Sequence, residues 1–327
     1  MSGTREAVRE GYGRVAREDF GDRTEAVARI AAAFGYAEED LAALPDGANM
    51  GLSCGNPVAL ASLKEGETVV DLGSGGGLDV FLAARAVGPQ GRAIGIDMTE
   101  EMVALAKRNA VAGGYANVEF HLAQIESMPL KSESVDCVIS NCVLNLVEDK
   151  DAALAEIFRV LKPGGRLAVS DIALKQALPA SVAGDVTAWV SCIAGAISID
   201  ANLQKLHRAG FLQAQVAPTG ADLNVYKEGG SAGCCGSSQP EAEPSCCEPK
   251  TAENAVSGCC TPKASPDTPG CCTPAPAAEG KNGCCASETV AATPSTAGGF
   301  HDRLTQSVAD LDLNDYAAAV RIYAVKP

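Results

Sequence analysis

The side chains with the most chemistry to offer are the 14 cysteines among 327 residues. A thiolate is a soft ligand for thiophilic metals and metalloids, and it is also a nucleophile and a reductant. The settings differ. Cys54 lies in Gly51-Leu52-Ser53-Cys54-Gly55-Asn56-Pro57, a loop bounded by glycine and proline where packing supplies no reason for a thiol. Cys137 sits inside the apolar run Val135-Asp136-Cys137-Val138-Ile139-Ser140 and reads as a buried core residue. Cys142 follows directly, in Asn141-Cys142-Val143-Leu144-Asn145-Leu146. For Cys192, within Trp189-Val190-Ser191-Cys192-Ile193-Ala194-Gly195-Ala196, packing in an apolar helix competes with a chemical role. The remaining ten form adjacent pairs, Cys234-Cys235, Cys246-Cys247, Cys259-Cys260, Cys271-Cys272 and Cys284-Cys285, at intervals of 12 or 13 residues. Vicinal thiols chelate soft centres and raise their local concentration. With three histidines in the chain, acid–base chemistry has few candidates.

A second chemistry-bearing stretch is Asp71-Leu72-Gly73-Ser74-Gly75-Gly76-Gly77. Thr68, Val69, Val70 and Leu72 predict a buried strand running into it, and a helix pattern begins at Leu78. Glycines permit the tight turn and the close approach of a ligand, and the helix start offers free N–H groups. A dinucleotide fingerprint requires glycine where Leu78 stands. The spacing Asp-x-Gly-x-Gly-x-Gly instead suits a nucleoside of another kind, although a strand-to-helix turn with no ligand also fits.

The surrounding pattern must position these groups. Helices are predicted over 3–17, 23–34, 78–87, 99–112 and 150–161, with further helices in 179–210. Strands are predicted over 68–72, 92–96, 118–122, 135–140, 166–171, 211–216 and 317–325. Their alternation implies an α/β fold with a mostly parallel seven-stranded sheet, helices on both faces and an antiparallel last strand. A ligand then belongs at the carboxyl ends of the strands. There Asp97, about 20 residues beyond the glycine loop, is placed for ribose hydroxyls. Residues 228–299 are Gly, Pro, Ser, Ala and Glu with almost no large apolar side chains, a composition that predicts disorder.

A net charge of −15 argues against nucleic acid as a partner. No leader or bilayer-spanning apolar run is evident, so the expectation is a cytoplasmic chain that does not engage a membrane. In that compartment the thiols point to soft-metal or redox chemistry rather than disulfide scaffolding.

Together, Gly51-Leu52-Ser53-Cys54-Gly55, the loop 71–77, Gly95-Ile96-Asp97-Met98-Thr99, Ser140-Asn141-Cys142-Val143-Leu144-Asn145-Leu146 and Cys192-Ile193-Ala194-Gly195-Ala196 resemble the arsenite methyltransferases, in that family's order. The likeness covers about 5–227 and 300–327. It implies a class I S-adenosylmethionine (SAM) methyltransferase of Rossmann-like fold that methylates trivalent arsenic for detoxification. By the same likeness, Asp71, Gly73, Ser74, Gly75 and Gly77 cradle the methionine end of SAM. Asp97 binds ribose, Met98 flanks adenine, and Gln124, Ile125 and Glu126 edge it. Cys54 and Cys192 are arsenic ligands, and Asn141 and Cys142 face the methyl group. The ten paired cysteines (Cys234, Cys235, Cys246, Cys247, Cys259, Cys260, Cys271, Cys272, Cys284 and Cys285) become accessory metalloid ligands. Many family members carry a cysteine before the last strand, where this chain reads Asp310-Leu311-Asp312-Leu313-Asn314-Asp315-Tyr316. The third arsenic ligand is therefore glutathione, a pair from 228–299, or absent. Thioredoxin or glutathione is implied as reductant, arsenite or its thiol conjugate as substrate, and a monomer as the working form.

The implied organisation is an N-terminal helical cap over 1–50, a SAM-binding core over 51–175, an arsenic-binding region over 176–227, the cysteine-pair insert over 228–299, and a C-terminal helix and strand over 300–327. Two other readings stay open. One is a small-molecule C- or O-methyltransferase acting on a quinone or sterol. The other is a metalloid-sequestering protein whose catalytic-looking domain only binds.

Overall fold

A computed structural model describes residues 2–17, 24–179, 193–227 and 311–327. The cysteine pairs and Cys192 lie outside the described residues. In chain order the elements are α1 (Ser2–Val15), α2 (Thr24–Ala33), α3 (Glu38–Ala42), α4 (Pro57–Ala61), β1 (Thr68–Leu72), α5 (Leu78–Val87), β2 (Arg92–Asp97), α6 (Glu100–Ala112) and β3 (Val118–Leu122). Then come β4 (Val135–Asn141), α7 (Lys150–Val160), β5 (Leu161–Leu174), α8 (Ile199–Arg208), β6 (Gln213–Pro218), α9 (Leu313–Tyr316) and β7 (Ala317–Val325).

The strands form one seven-stranded sheet in the order β3-β2-β1-β4-β5-β7-β6. Strands β1 to β5 pair in parallel, and β7 runs antiparallel to both β5 and β6. This is the class I SAM methyltransferase fold expected from the sequence. Alternation sends successive β1 residues to opposite faces. Val69 packs with Phe81 of α5 and Ala106 of α6, and Val70 with Ile157 of α7. A sheet covered on both faces explains why its strands are apolar almost throughout. The order reverses at β1, with β2 on one side and β4 on the other. Asp71 is registered with Ile139 and Leu72 with Ser140, so the glycine loop leaves the sheet next to Asn141. That switch point is where ligands bind in open α/β sheets.

Some boundaries differ from expectation. The run Lys162-Pro163-Gly164-Gly165 reads as a turn, yet β5 begins at Leu161. A register shift between Val135 and Cys137 takes up the extra residues as an irregularity in the ladder, with Gly164 at φ 76°. Strand β6 starts at Gln213 rather than Phe211, because Phe211 is fully buried against Phe158 at the end of the preceding helix. Helix α4 was not expected. It is a short element, capped by the Asn56 side chain accepting from the Ala59 N–H at 2.9 Å.

Two Asp-Leu-Asn triplets flank the insert, 222–224 and 312–314, and they bind each other reciprocally. Asn224 donates to Asp312 Oδ1 (2.8 Å) and accepts from the Leu313 N–H (3.2 Å). Asn314 donates to Asp222 Oδ1 (2.6 Å) and accepts from the Leu223 N–H (3.0 Å). Both leucines are buried in the apolar cluster that also holds Cys54 and Cys142. The segments on either side of 228–310 are thus clasped together, and the clasp forms part of the wall around the two thiols. Removing either amide, as in Asn224→Ala or Asn314→Ala, is expected to lower stability by about 1–2 kcal/mol. The double variant should lose less than the sum, because one break already opens the clasp. Urea titration of the set measures this.

Candidate active site

A cleft opens at the carboxyl ends of β1, β2 and β4. Its floor is the loop after β1. The N–H groups of Gly73 and Ser74 both donate to Ile96 O, at 2.7 and 3.0 Å, which ties the loop to β2. Gly73 adopts φ +67°, and a Cβ there would lie 2.3 Å from Val143 Cγ2. Only glycine meets both demands. Ser74 contributes through its backbone, since its Oγ packs over Gly95. Asp97 binds the loop from the other side: Oδ2 accepts from the Gly75 N–H (3.0 Å) and Oδ1 from the Thr99 N–H (2.8 Å). The Met98 N–H and the Thr99 hydroxyl also bond to this carboxylate, so its place at the end of β2 is fixed from several sides.

Asp71, Asp79 and Asp97 all line this cleft. Burial, followed by the charges of Asp79 and Asp97, pushes Asp71 well above the ordinary carboxylate range. Burial also raises Asp97, against the bonds from Thr99, Gly75 and Met98. Asp79 is raised to about 6 by burial, opposed by hydrogen bonds from Tyr36 and Asn141. Three carboxylates that resist ionising when the cleft is empty make a receptive place for a cation.

Helix α1 covers the mouth, with Val8 and Tyr12 on the cleft. Arg5 fastens it, donating to Gln124 Oε1 (3.1 Å) and Glu126 Oε1 (2.9 Å), while its backbone N–H donates to Glu148 Oε1 (3.2 Å). The expected adenine-edging residues Gln124, Ile125 and Glu126 therefore do line the cleft, with their polar groups held by α1. Met98 lines it as well.

At the far end stand two thiols. Cys54 and Cys142 are joined as a disulfide with their Cα atoms 5.7 Å apart, 88 positions apart in the chain. Both are buried. Cys142 adopts φ +57°, a left-handed conformation uncommon for a residue with a side chain, immediately after β4. Such a turn is a mark of functional sites. The cleft is lined by Asn141 and Cys142, and Ser53 brings the Cys54 loop to it. Ile193, the residue after Cys192, packs in the same apolar cluster as Cys54 and Cys142. Cys137 is buried in the sheet, its thiol pushed up to about 12 mainly by burial, as befits a core residue.

Comparison with known proteins follows the same lines. A family profile described as a methyltransferase domain matches residues 63–215. An arsenite methyltransferase from Halobacterium salinarum is 43% identical over 232 residues, which are 66% of this chain and 59% of that protein. Over this stretch the chain is similar to arsenite methyltransferases. The human arsenite methyltransferase is 39% identical over 138 residues, 39% of this chain and 37% of that one. A solved relative, an arsenic(III) S-adenosylmethionine methyltransferase from Chlamydomonas reinhardtii, is 33% identical with a TM-score of 0.47, covering 62% of this chain and 68% of that one. The chain spans 59% of the length of the Halobacterium relative.

SAM fits the cleft on this chain's own features. The loop after β1 and the carboxylates of Asp71, Asp79 and Asp97 line it together, a setting that suits the ammonium and sulfonium of such a donor. Replacing Asp97 by Ala is expected to weaken SAM binding by about 1–3 kcal/mol, the scale of charged hydrogen bonds lost. An isothermal titration that returns the wild-type affinity would remove Asp97 from the site.

Sequence reasoning missed Arg5, Tyr36 and Asp79. An arginine on an amphipathic helix and an aspartate in a first helical turn are ordinary in those positions, and only tertiary contact makes them part of the site.

Proposed function

We propose that the chain methylates trivalent arsenic with SAM as donor. The observation that carries this reading is the meeting of Cys54 and Cys142 in one buried position at the methyl-donor cleft. Reduced, two thiols at this separation bind a trivalent arsenical by exchanging with its hydroxyls, each As–S bond releasing one water. Thiolates are soft donors suited to such a centre. This assignment moves Cys142 from the methyl group's neighbour to a ligand alongside Cys54, with Cys192 as the third donor from outside the described residues.

SAM supplies an electrophilic methyl on a cationic sulfonium. The chain's work would be positioning: the reduced thiols of Cys54 and Cys142 would hold arsenic with its lone pair toward the cleft in which SAM would present its methyl group. No proton need move, which fits a cleft without a histidine among its lining residues. Methylation raises arsenic to the pentavalent state. Oxidation of Cys54 and Cys142 to their disulfide releases two electrons and restores the trivalent state. Thioredoxin or glutathione then reduces that disulfide by exchange. A cytoplasmic, monomeric detoxification enzyme is consistent with these steps, and the ten paired cysteines serve as accessory metalloid ligands.

The test is purified chain with SAM, arsenite and a dithiol, followed by arsenic speciation and S-adenosylhomocysteine over time. Methylated arsenic in step with S-adenosylhomocysteine is expected. Arsenite retained in stoichiometric amount without S-adenosylhomocysteine would make this a sequestering protein. A quinone or sterol methyltransferase has no use for the thiol pair and would turn over unchanged after alkylation.

A further inference from the structure

We propose that Tyr36, Asp79 and Asn141 form a positioning relay through which occupancy of the methyl-donor cleft sets the backbone that carries the two thiols. Asn141 is its hub. Its Oδ1 accepts from the Cys54 N–H at 2.9 Å. Its Nδ2 donates to Gly55 O (2.9 Å) and to the Tyr36 hydroxyl oxygen (2.8 Å), and a longer contact reaches Asp79 Oδ2 (3.2 Å). Tyr36 in turn donates its O–H to Asp79 Oδ1 at 2.7 Å.

The amide can sit only one way round. Reversed, its oxygen would face the Gly55 carbonyl and the Asp79 carboxylate while its nitrogen faced a donor. Asn141 thus grips the Cys54 loop through both Cys54 and Gly55, and it precedes Cys142 in the chain. Its side chain holds the Cys54 loop, and its backbone leads directly into Cys142. Its other partners look toward the donor: Asp79 is the second residue of α5, beside the glycine loop, and lines the cleft. Tyr36, 4% exposed, comes from the segment between α2 and α3 and holds Asp79 from behind.

A cationic donor entering the cleft acts on Asp79, the Asp79 carboxylate pulls on Tyr36 and Asn141, and Asn141 moves or stiffens Cys54. The relay serves the reaction proposed above, but it is a statement about coupling between two places and does not need turnover to be seen.

The experiment uses the full chain, reduced and free of arsenical, with SAM as the cleft probe and the rate of iodoacetamide alkylation of Cys54, read by peptide mass spectrometry. Saturating probe is expected to slow alkylation by about fivefold or more in the wild type. In Tyr36→Phe, which removes only one hydroxyl, and in Asp79→Asn, which keeps the shape, the slowing should shrink to less than about twofold, each variant being saturated with probe. Asn141→Ala should lose it as well. Slowing of equal size in all four proteins would mean direct shielding by the probe and would overturn the relay, as would no slowing in the wild type. Should the wild type show coupling that Tyr36→Phe erases, yet make no methylated arsenic, the relay stands and the arsenic assignment falls. Where turnover is present, Tyr36→Phe is expected to lower kcat by about tenfold with KM for SAM held, the split expected of lost positioning.

Discussion

Replacing Cys142 by Ser is expected to lower arsenite methylation about 100-fold or more, while SAM affinity under reducing conditions stays within about threefold of wild type. Serine matches the size of cysteine, so the left-handed turn at φ +57° and the bond from the Cys142 N–H to Ser170 O, 2.9 Å, should survive. What is lost is a soft donor and half of a two-electron reductant. A hydroxyl neither holds a thiophilic centre nor forms a disulfide. Cys54→Ser should fail to the same degree, and the double variant no further, because groups acting as a unit are not additive. Cys192→Ser is expected to behave alike. Stopped-flow or discontinuous arsenic speciation measures the rates, and a titration with S-adenosylhomocysteine checks the cleft. Undiminished turnover by Cys142→Ser would return this residue to a lining role and leave Cys54 and Cys192 as the arsenic ligands.

The contrast between these cysteines shows how far the sequence could be read. The strand, the glycine loop and the acidic residue ending β2 are local: β-branched residues, glycines and one aspartate at set spacing determine them, and the structure places each where the spacing implies. Cys54 stood out because nothing in its loop required a thiol. The pairing with Cys142, which the sequence likeness places near the methyl group, did not, because 88 residues separate the two and pairing is decided only when β1 and β4 lie side by side. The same reasoning covers Asp79. In sequence it is an acid near a positive helix end, and only the meeting of α5, β4 and Tyr36 gives it its two polar partners, Tyr36 and Asn141. The Asp-Leu-Asn repeat was visible in both places, but a repeat 90 residues apart carries no meaning until β6 and β7 pair. Residues 162–165 misled in the opposite sense. Proline and two glycines announce a turn, and the sheet absorbs them as an irregular start to a strand.

Between pH 5.5 and 8 the ligand-free protein is expected to lose stability as pH rises, and SAM is expected to restore it increasingly. Asp79 and Asp171, with folded values of about 6 and about 7 against an ordinary 3.8, contribute together with Asp71 and Asp97, which are also raised, and burial is the main cause at all four. Because the folded state holds these protons more tightly, it binds more of them than the unfolded chain above pH 4. Stability therefore falls with rising pH until the folded carboxylates have ionised, at up to about 1.4 kcal/mol per pH unit for each. The carboxylates with lowered values, Glu67, Glu119 and Glu156, act in the other direction, but their window lies below their ordinary 4.5 and does not overlap. For a chain of this size each kcal/mol is about 2–4 °C in Tm. The two aspartates separate by location. Asp79 lines the cleft with Asp71 and faces Tyr36 and Asn141, so a cation there favours its ionised form. Asp171 lies in β5, held by Asn145 and the Ile172 N–H with Lys150 nearby, and does not line the cleft. Asp171→Asn should flatten the ligand-free pH profile and leave the rise of SAM affinity with pH intact. Asp79→Asn should flatten both. Calorimetric melts with and without SAM across this range distinguish the two, and a SAM affinity that stays level through pH 6 in the wild type would show that the donor's charge does not act on Asp79.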